Sequence, residues 1–274
     1  MNKPEKVPKI SLIGAGKIGE GIIKGLLKSG AYRQNDIKAY DIIEKRCQYI
    51  THTYNVECSS DVKNAVAFGD ICLIAVKPND VPKVIEQISP NMKSDKLLVS
   101  IAAGVTLDFY RKHLPRQIPV VRVMPNVAVS VLEGMITLSP SRNVTKEQLK
   151  ITTDMLSLLG RVMLLDEKYL NLATGLVGSG PAYIYLIIES LADAGVRLGL
   201  PKDVSTLLAA QTTLGAAKMI IETCEHPAKL KDLVVTPAGA TIEGLLELER
   251  CGLRAVLISA VTKAAKRTRE LSPA

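Results

Sequence analysis

Six residues limit this fold more than any other feature of the chain. Gly14-Ala15-Gly16-Lys17-Ile18-Gly19, a G-x-G-x-x-G run, follows directly on the short apolar segment 9–14. It leads into a stretch in which Ile18, Ile22, Ile23, Leu26 and Leu27 recur at helical spacing until Ser29-Gly30 supplies a stop. In the order strand, glycines, helix, the first glycine makes the tight turn and the second lets the backbone approach a pyrophosphate. The third lets helix and strand pack closely. Free N–H groups and the positive end of the helix dipole then face the phosphates. A glycine-rich turn that binds nothing is the competing reading of the same letters.

The pattern repeats downstream. It predicts strands over 37–42, 71–76, 97–101, 120–123, 134–138 and 162–165, and helices over 44–54, 81–88, 107–113 and 146–159. Short strands separated by helices imply a parallel sheet covered on both faces. The expected fold class is therefore α/β, a Rossmann-type, mainly parallel sheet over residues 1–166 that binds a dinucleotide. From Glu167 the periodicity changes. The stretches 167–176, 180–199, 202–222, 241–250 and 253–269 are all helical in pattern, which marks residues 167–274 as an all-helical domain. Gly178-Ser-Gly-Pro181 opens one of its helices, and Thr236-Pro-Ala-Gly239 precedes another.

Further cofactor-binding candidates stand where strands end. Asp41 lies 22 residues beyond Gly19, where an acid accepts from the adenosine ribose hydroxyls and favours NAD over NADP. It is equally placed to cap the next helix, and Lys45 and Arg46 are near enough in sequence to reach a 2′-phosphate. Ala75-Val76-Lys77-Pro78 and Ala102-Ala103-Gly104 end two later strands with small residues, which leave room for a nicotinamide or make plain tight turns. Lys17 offers a phosphate contact or a solvated first-turn lysine.

Composition excludes some partners. Thirty-five Lys and Arg against 27 Asp and Glu give +8, yet the basic residues are dispersed and not interleaved with aromatics. Anionic small molecules fit this better than nucleic acid. The five cysteines show no C-x-x-C pair and the three histidines lie far apart, so neither a metal site nor a disulfide framework is expected. No uninterrupted apolar run approaches the roughly 20 residues of a membrane span. A cytoplasmic protein with a short polar lead-in, Met1 to Pro8, is the expectation.

The segment from Asp232 to Glu249, with Thr236-Pro-Ala-Gly239-Ala-Thr241 at its centre, resembles the signature of pyrroline-5-carboxylate reductases. So, in the same order, do Ala75-Val-Lys-Pro78, Ala102-Ala-Gly-Val105, Met124-Pro-Asn126 and Gly178-Ser-Gly-Pro-Ala-Tyr183. The likeness covers residues 9 to 270. It implies reduction of 1-pyrroline-5-carboxylate to L-proline with NADPH or NADH, by a homodimer interlocked through the helical domain. Such dimers often associate as a pentamer of dimers. Thr236, Gly239, Ala240 and Thr241 become candidate seats for the substrate carboxylate. Thr241 becomes the candidate catalytic residue that orients the ring nitrogen, or else a helix cap. Glu167 matches a family position near the bound amino acid, and is also a reasonable solvated first-turn acid. Two departures stand out. The usual glycine pair is Ala238-Gly239 here, and Ser60-Asp-Val62 replaces a stretch in which relatives often place an asparagine near the ribose.

Two other readings stay open. One is a reductase of another substrate. A β-hydroxyacid version would need a general base, commonly a lysine on the interdomain helix, and 180–197 has none. The other is a non-catalytic NAD(P)-binding oligomeric sensor.

Overall fold

The computed structural model describes residues 7–270, so the lead-in as far as Lys6 lies outside it. Ile-Ser-Leu-Ile forms β1 (Ile10–Ile13), buried along its whole length. Seven strands join it: β2 (Ile37–Tyr40), β3 (Glu57–Ser59), β4 (Ile71–Ile74), β5 (Leu97–Ser100), β6 (Val120–Met124), β7 (Gly134–Pro140) and β8 (Gly160–Leu164). The sheet order is 3-2-1-4-5-6-7-8, parallel throughout except for β6 against β7. The first six strands carry the doubly wound order, whose direction of winding reverses between β1 and β4.

Helices on both faces supply the cover: α1 (Lys17–Lys28), α2 (Glu44–Tyr54), α3 (Val62–Phe68), α4 (Val81–Ile88), α5 (Leu107–His113), α6 (Lys146–Ser157) and α7 (Glu167–Ala173). Successive strand side chains point to opposite faces. Leu12 accordingly joins a core with Ile22, Ile23 and Leu26 of α1, while its neighbour Ile13 joins another with Val66, Val81 and Ile85. The one polar residue of β1, Ser11, is satisfied by donating to the Ala65 carbonyl and accepting from the Gly69 N–H.

Two elements here were not predicted, β3 and α3. Glu57-Cys-Ser59 is too short and too polar to signal a strand, and α3 buries only Val62, Ala65 and Val66. The passage from α2 to β3 also corrects the cysteine reading. Cys47 and Cys58 are joined in a disulfide, leaving Cys72, Cys224 and Cys251 free. A search for closely spaced pairs misses it, because a helix returning to the next strand brings together residues 11 apart.

The chain divides into two compact units. One runs to Ser179 and takes in the chain again from Lys263, and the other is Gly180–Thr262. The helix that opens at Glu167 thus belongs to the sheet unit. Beyond it follow α8 (Gly180–Arg197), α9 (Lys202–Thr223), α10 (Pro227–Asp232), α11 (Ala240–Arg250) and α12 (Leu253–Glu270). Within the second unit α8 and α9 cross closely. A Cβ on Gly195 would stand 2.0 Å from the Ser205 hydroxyl, which itself donates to the Ala192 carbonyl.

Little else in these helices is buried. Leu186, Leu207 and Ile258 are 63%, 69% and 68% exposed, and so many large apolar side chains left open suit a surface used for association. The stretches Glu167–Arg197 and Lys202–Thr223 each contain an 18-residue window, of mean hydropathy 1.2 and 1.3, that is long and apolar enough to cross a bilayer by length and composition alone. The expectation counted uninterrupted runs, which Gly, Ser and Tyr break, while the Ala, Leu, Ile and Val around them carry the average.

Candidate active site

At the carboxyl edge of β1 the chain turns on Gly14, whose φ of +100° lies in the region that favours glycine. A Cβ there would also stand 2.9 Å from the Ala75 backbone and 2.7 Å from Val76 Cγ1. Gly14 donates to the Tyr40 carbonyl, and Ala75 to the Ile13 carbonyl. The glycine loop, the end of β2 and the Ala75-Val76 edge are thereby brought together at the switch point of the sheet. Ala102-Ala103 follows one strand further on, where Ile101 donates to the Ile74 carbonyl.

The three motif glycines do different work. A Cβ on Gly19 would stand 2.2 Å from the Gly14 carbonyl oxygen, so this glycine exists for helix–strand contact. Gly16 is different. It is the N-cap of α1 at φ −65°, a value open to any residue, and no protein atom lies within 4 Å of the place its Cβ would take. Neither packing nor backbone conformation accounts for it. Room left beside uncapped helix N–H groups is what a pyrophosphate requires, so the residues present fit a dinucleotide. Lys17 is exposed beside it, and the side chain of Ile18 packs into the core.

Asp41 is half-buried and uses both carboxylate oxygens. Oδ2 accepts from the Ala15 N–H at 2.8 Å and Oδ1 from the Ile43 N–H at 2.9 Å. Asp41 is not the cap of α2, whose N-cap is Ile43 without a side-chain bond, and each of its oxygens keeps a second lone pair for a ribose hydroxyl. A cavity of about 890 Å³ opens beside it, lined by Ile42, Gln48, His52 and Ser60 among others. Of the expected asparagine region, Ser60 reaches this cavity, while Asp61 caps α3 by accepting from Lys63.

Arg46, expected within reach of a 2′-phosphate, is bound to the loop itself. Arg46 Nε donates to the Ala15 carbonyl, and its guanidinium pairs with Glu20 on α1 while lying 4.8 Å from the Tyr49 ring centroid. Glu20 also accepts from the Tyr54 and Tyr49 hydroxyls at 2.7 and 3.0 Å. Burial acts to raise the Glu20 carboxyl pKa, but the bonds from Arg46, Tyr54 and Tyr49 outweigh it and hold the group below the usual carboxylate range.

Glu167 begins α7 and is not a free surface acid. Its Oε1 accepts from the Leu107 N–H at 2.6 Å and from Arg122 Nη1 at 3.1 Å. Arg122 is 3% exposed and also donates to Asn171. Desolvation pulls the arginine down from its ordinary pKa, and Glu167 pushes it back. The signal was visible, since one arginine interrupts the apolar strand Val-Val-Arg-Val-Met. Glu167 borders a cleft of about 1220 Å³ whose other walls include Leu107, Ser139 and Arg142.

The turn Thr236–Thr241 belongs to the second unit. Gly239 donates to the Thr236 carbonyl at 3.0 Å, and a Cβ on it would stand 2.2 Å from the Thr236 hydroxyl. Ala238, which replaces a usual glycine, has φ +55°. Gly239 is the N-cap of α11 and provides no side-chain cap. Thr241 lies inside the first turn, so it is not the cap residue, and among the described residues its hydroxyl has no hydrogen-bond partner.

Two family descriptions match the chain, and the C-terminal one begins at 167 rather than at the 179/180 division of the compact units. The family description "Pyrroline-5-carboxylate reductase dimerisation" matches residues 167–271, and "NADP oxidoreductase coenzyme F420-dependent" matches residues 9–104. The pyrroline-5-carboxylate reductase of Methanosarcina acetivorans is 41% identical over 96% of this chain and 97% of its own length. The Escherichia coli protein of the same name is 36% identical over 96% and 98%. Among solved structures, Plasmodium falciparum pyrroline carboxylate reductase with NADP bound superposes with a TM-score of 0.90 at 29% identity, covering 99% of this chain and 100% of that one. The Coxiella burnetii pyrroline-5-carboxylate reductase gives 0.87 at 32% identity over 98% and 100%.

Proposed function

The chain belongs to the pyrroline-5-carboxylate reductase family, and from that premise we propose which residues do the work of the reaction. It is an NAD(P)H-dependent oxidoreductase that reduces the imine carbon of 1-pyrroline-5-carboxylate to give L-proline, and it assembles as a homo-oligomer through its helical domain. When bound, the dinucleotide supplies the hydride. The protein has to bind and align.

The N–H groups from Gly16 to Gly19 hold the pyrophosphate, with Ala15 and Lys17 beside them and Asp41, which takes the Ala15 N–H, on the ribose. Ala75 to Pro78 and Ala103 wall the nicotinamide side. Gly16 is the observation that carries this reading, because its missing side chain serves no purpose inside the protein. In the helical unit the N–H groups of Ala240 and Thr241 seat the substrate carboxylate, while Gly239, whose own N–H is spent on the Thr236 carbonyl, leaves room for the Thr236 hydroxyl beside them. The unpartnered Thr241 hydroxyl is the catalytic group, hydrogen-bonded to the ring nitrogen or the carboxylate. A protonated imine already has an electrophilic carbon, so positioning does most of the work. Glu167, its carboxylate oriented by Arg122 and the Leu107 N–H, is a further substrate-binding residue of this proposal.

The functional division falls at 166/167, with cofactor binding before it and substrate binding and dimerisation after it. A pentamer of dimers in the cytoplasm, without nucleic-acid or membrane partners, completes the proposal.

The test is pyrroline-dependent oxidation of NADH and NADPH by the purified protein. Thr241→Ala removes one hydrogen bond to a charged ligand, worth about 1.5–3 kcal/mol, and should lower kcat/KM by roughly ten- to a hundredfold with Tm unchanged. No turnover with either cofactor ends the reading. Turnover within twofold of wild type in Thr241→Ala removes Thr241 from its role.

A further inference from the structure

We propose that Glu20 sets the preference of this reductase for the unphosphorylated over the 2′-phosphorylated dinucleotide, by holding Arg46 on the glycine loop. The proposal rests on the loop being the dinucleotide seat. Glu20 touches no part of the cofactor in this scheme and acts as a positioning residue.

The two cofactors differ by one phosphate at the adenosine 2′ position, and the usual way to select it is an arginine fork free to bond the phosphate oxygens. At the end of β2 the chain presents Asp41 instead, fixed by the N–H groups of Ala15 and Ile43. Arg46 comes within one residue of that carboxylate, since it bonds the carbonyl of the same Ala15 whose N–H Asp41 accepts. It has the position of a phosphate ligand without the freedom of one. Glu20 takes its terminal nitrogen, and Tyr49 underlies the guanidinium.

Glu20 is in turn pinned by two tyrosine hydroxyls from α2, so it cannot follow Arg46 outward. The pair is close to neutral as a unit, and the charge left facing a 2′-phosphate from these three side chains is that of Asp41. Removal of the Glu20 charge leaves Arg46 tethered through Nε alone. Its terminal nitrogens are then able to turn to a phosphate.

The experiment compares kcat/KM for NADH and NADPH at saturating pyrroline. Wild type should prefer NADH. Glu20→Gln should lower the NADH-to-NADPH ratio about tenfold, ~1.4 kcal/mol, through a fall in KM for NADPH rather than through kcat. In an Arg46→Gln background the same change should leave the ratio where Arg46→Gln alone puts it, since the effect passes through Arg46. A wild type that prefers NADPH, a ratio indifferent to Glu20→Gln, or an equal fall without Arg46 overturns the proposal. If Glu20→Gln does not fold, Glu20→Asp carries the test. It keeps the charge on a shorter reach, so a partial fall supports the proposal and an unchanged ratio overturns it. Wild type that oxidises neither cofactor would sink the reductase reading instead, which is a different result.

Discussion

Replacing Gly16 and Gly19 by alanine, one at a time, should separate binding from folding within a single loop. At Gly16 the new methyl meets no protein atom within 4 Å, and φ −65° suits alanine. Alanine is a poorer N-cap than glycine by about 0.5–1 kcal/mol, but it loses less entropy on folding by about 0.4–1 kcal/mol. The two nearly cancel, so the stability of Gly16→Ala should stay within about 0.5 kcal/mol of wild type, or ~2 °C in Tm for a unit of this size. The methyl does occupy the place assigned to the pyrophosphate, and Kd for NADH should rise at least about tenfold, ~1.4 kcal/mol. At Gly19 the methyl would stand 2.2 Å from the Gly14 carbonyl oxygen, which is backbone and has no rotamer to yield. Overpacking of that kind costs about 1–3 kcal/mol or more, so Tm should fall by roughly 3–10 °C. Thermal denaturation gives the first quantity and NADH fluorescence titration the second. If Gly16→Ala binds NADH like wild type, or unfolds as early as Gly19→Ala, the assignment of the loop is wrong.

Two further outcomes concern Ala238 and Arg122. Ala238→Gly relieves a left-handed alanine, a gain of about 1–2 kcal/mol against an entropic loss of about 0.4–1 kcal/mol, so thermal denaturation should show equal or higher stability; a clear loss would mean that the +55° turn is not retained. Arg122→Met leaves Glu167 with the Leu107 N–H alone and should cost about 3 kcal/mol in urea unfolding, the low end for a broken buried pair because Glu167 is partly exposed. Adding Glu167→Gln should recover part of that loss, and no recovery would mean the pair is not coupled.

The sheet was largely legible because its signal is local. Three helices, 44–54, 81–88 and 107–113, fall on the residues expected, since each carries its own apolar stripe between turn signals. The short edge strand β3 was not legible, because its order comes from pairing with β2 rather than from its own residues. The site divides in the same way. Glycines stand out in one dimension, and the structure gives Gly14 a left-handed turn, Gly19 a close helix–strand contact and Gly16 an open helix start. Arg46–Glu20, Arg122–Glu167 and Cys47–Cys58 join elements 11 to 45 residues apart. Only the strand order and the return of a helix to its sheet bring them together.

The helix starts show why glycine was the informative residue. Helices α3, α5, α6, α7 and α10 have their first N–H groups satisfied by side chains of Asp61, Thr106, Thr145, Asp166 and His226. A capped helix has spent the donors an anion would need. Among the described helices with a distinct N-cap, only α1 and α11 begin on glycine, at Gly16 and Gly239. Glycine caps almost as well as serine in stability yet brings no oxygen of its own to compete for those donors. One start has the dinucleotide motif and the other the substrate signature. Helices α2, α4 and α9 also lack side-chain caps but start from Ile43, Asp80 and Pro201, so it is the uncapped start together with glycine that the proposed pyrophosphate and carboxylate seats share.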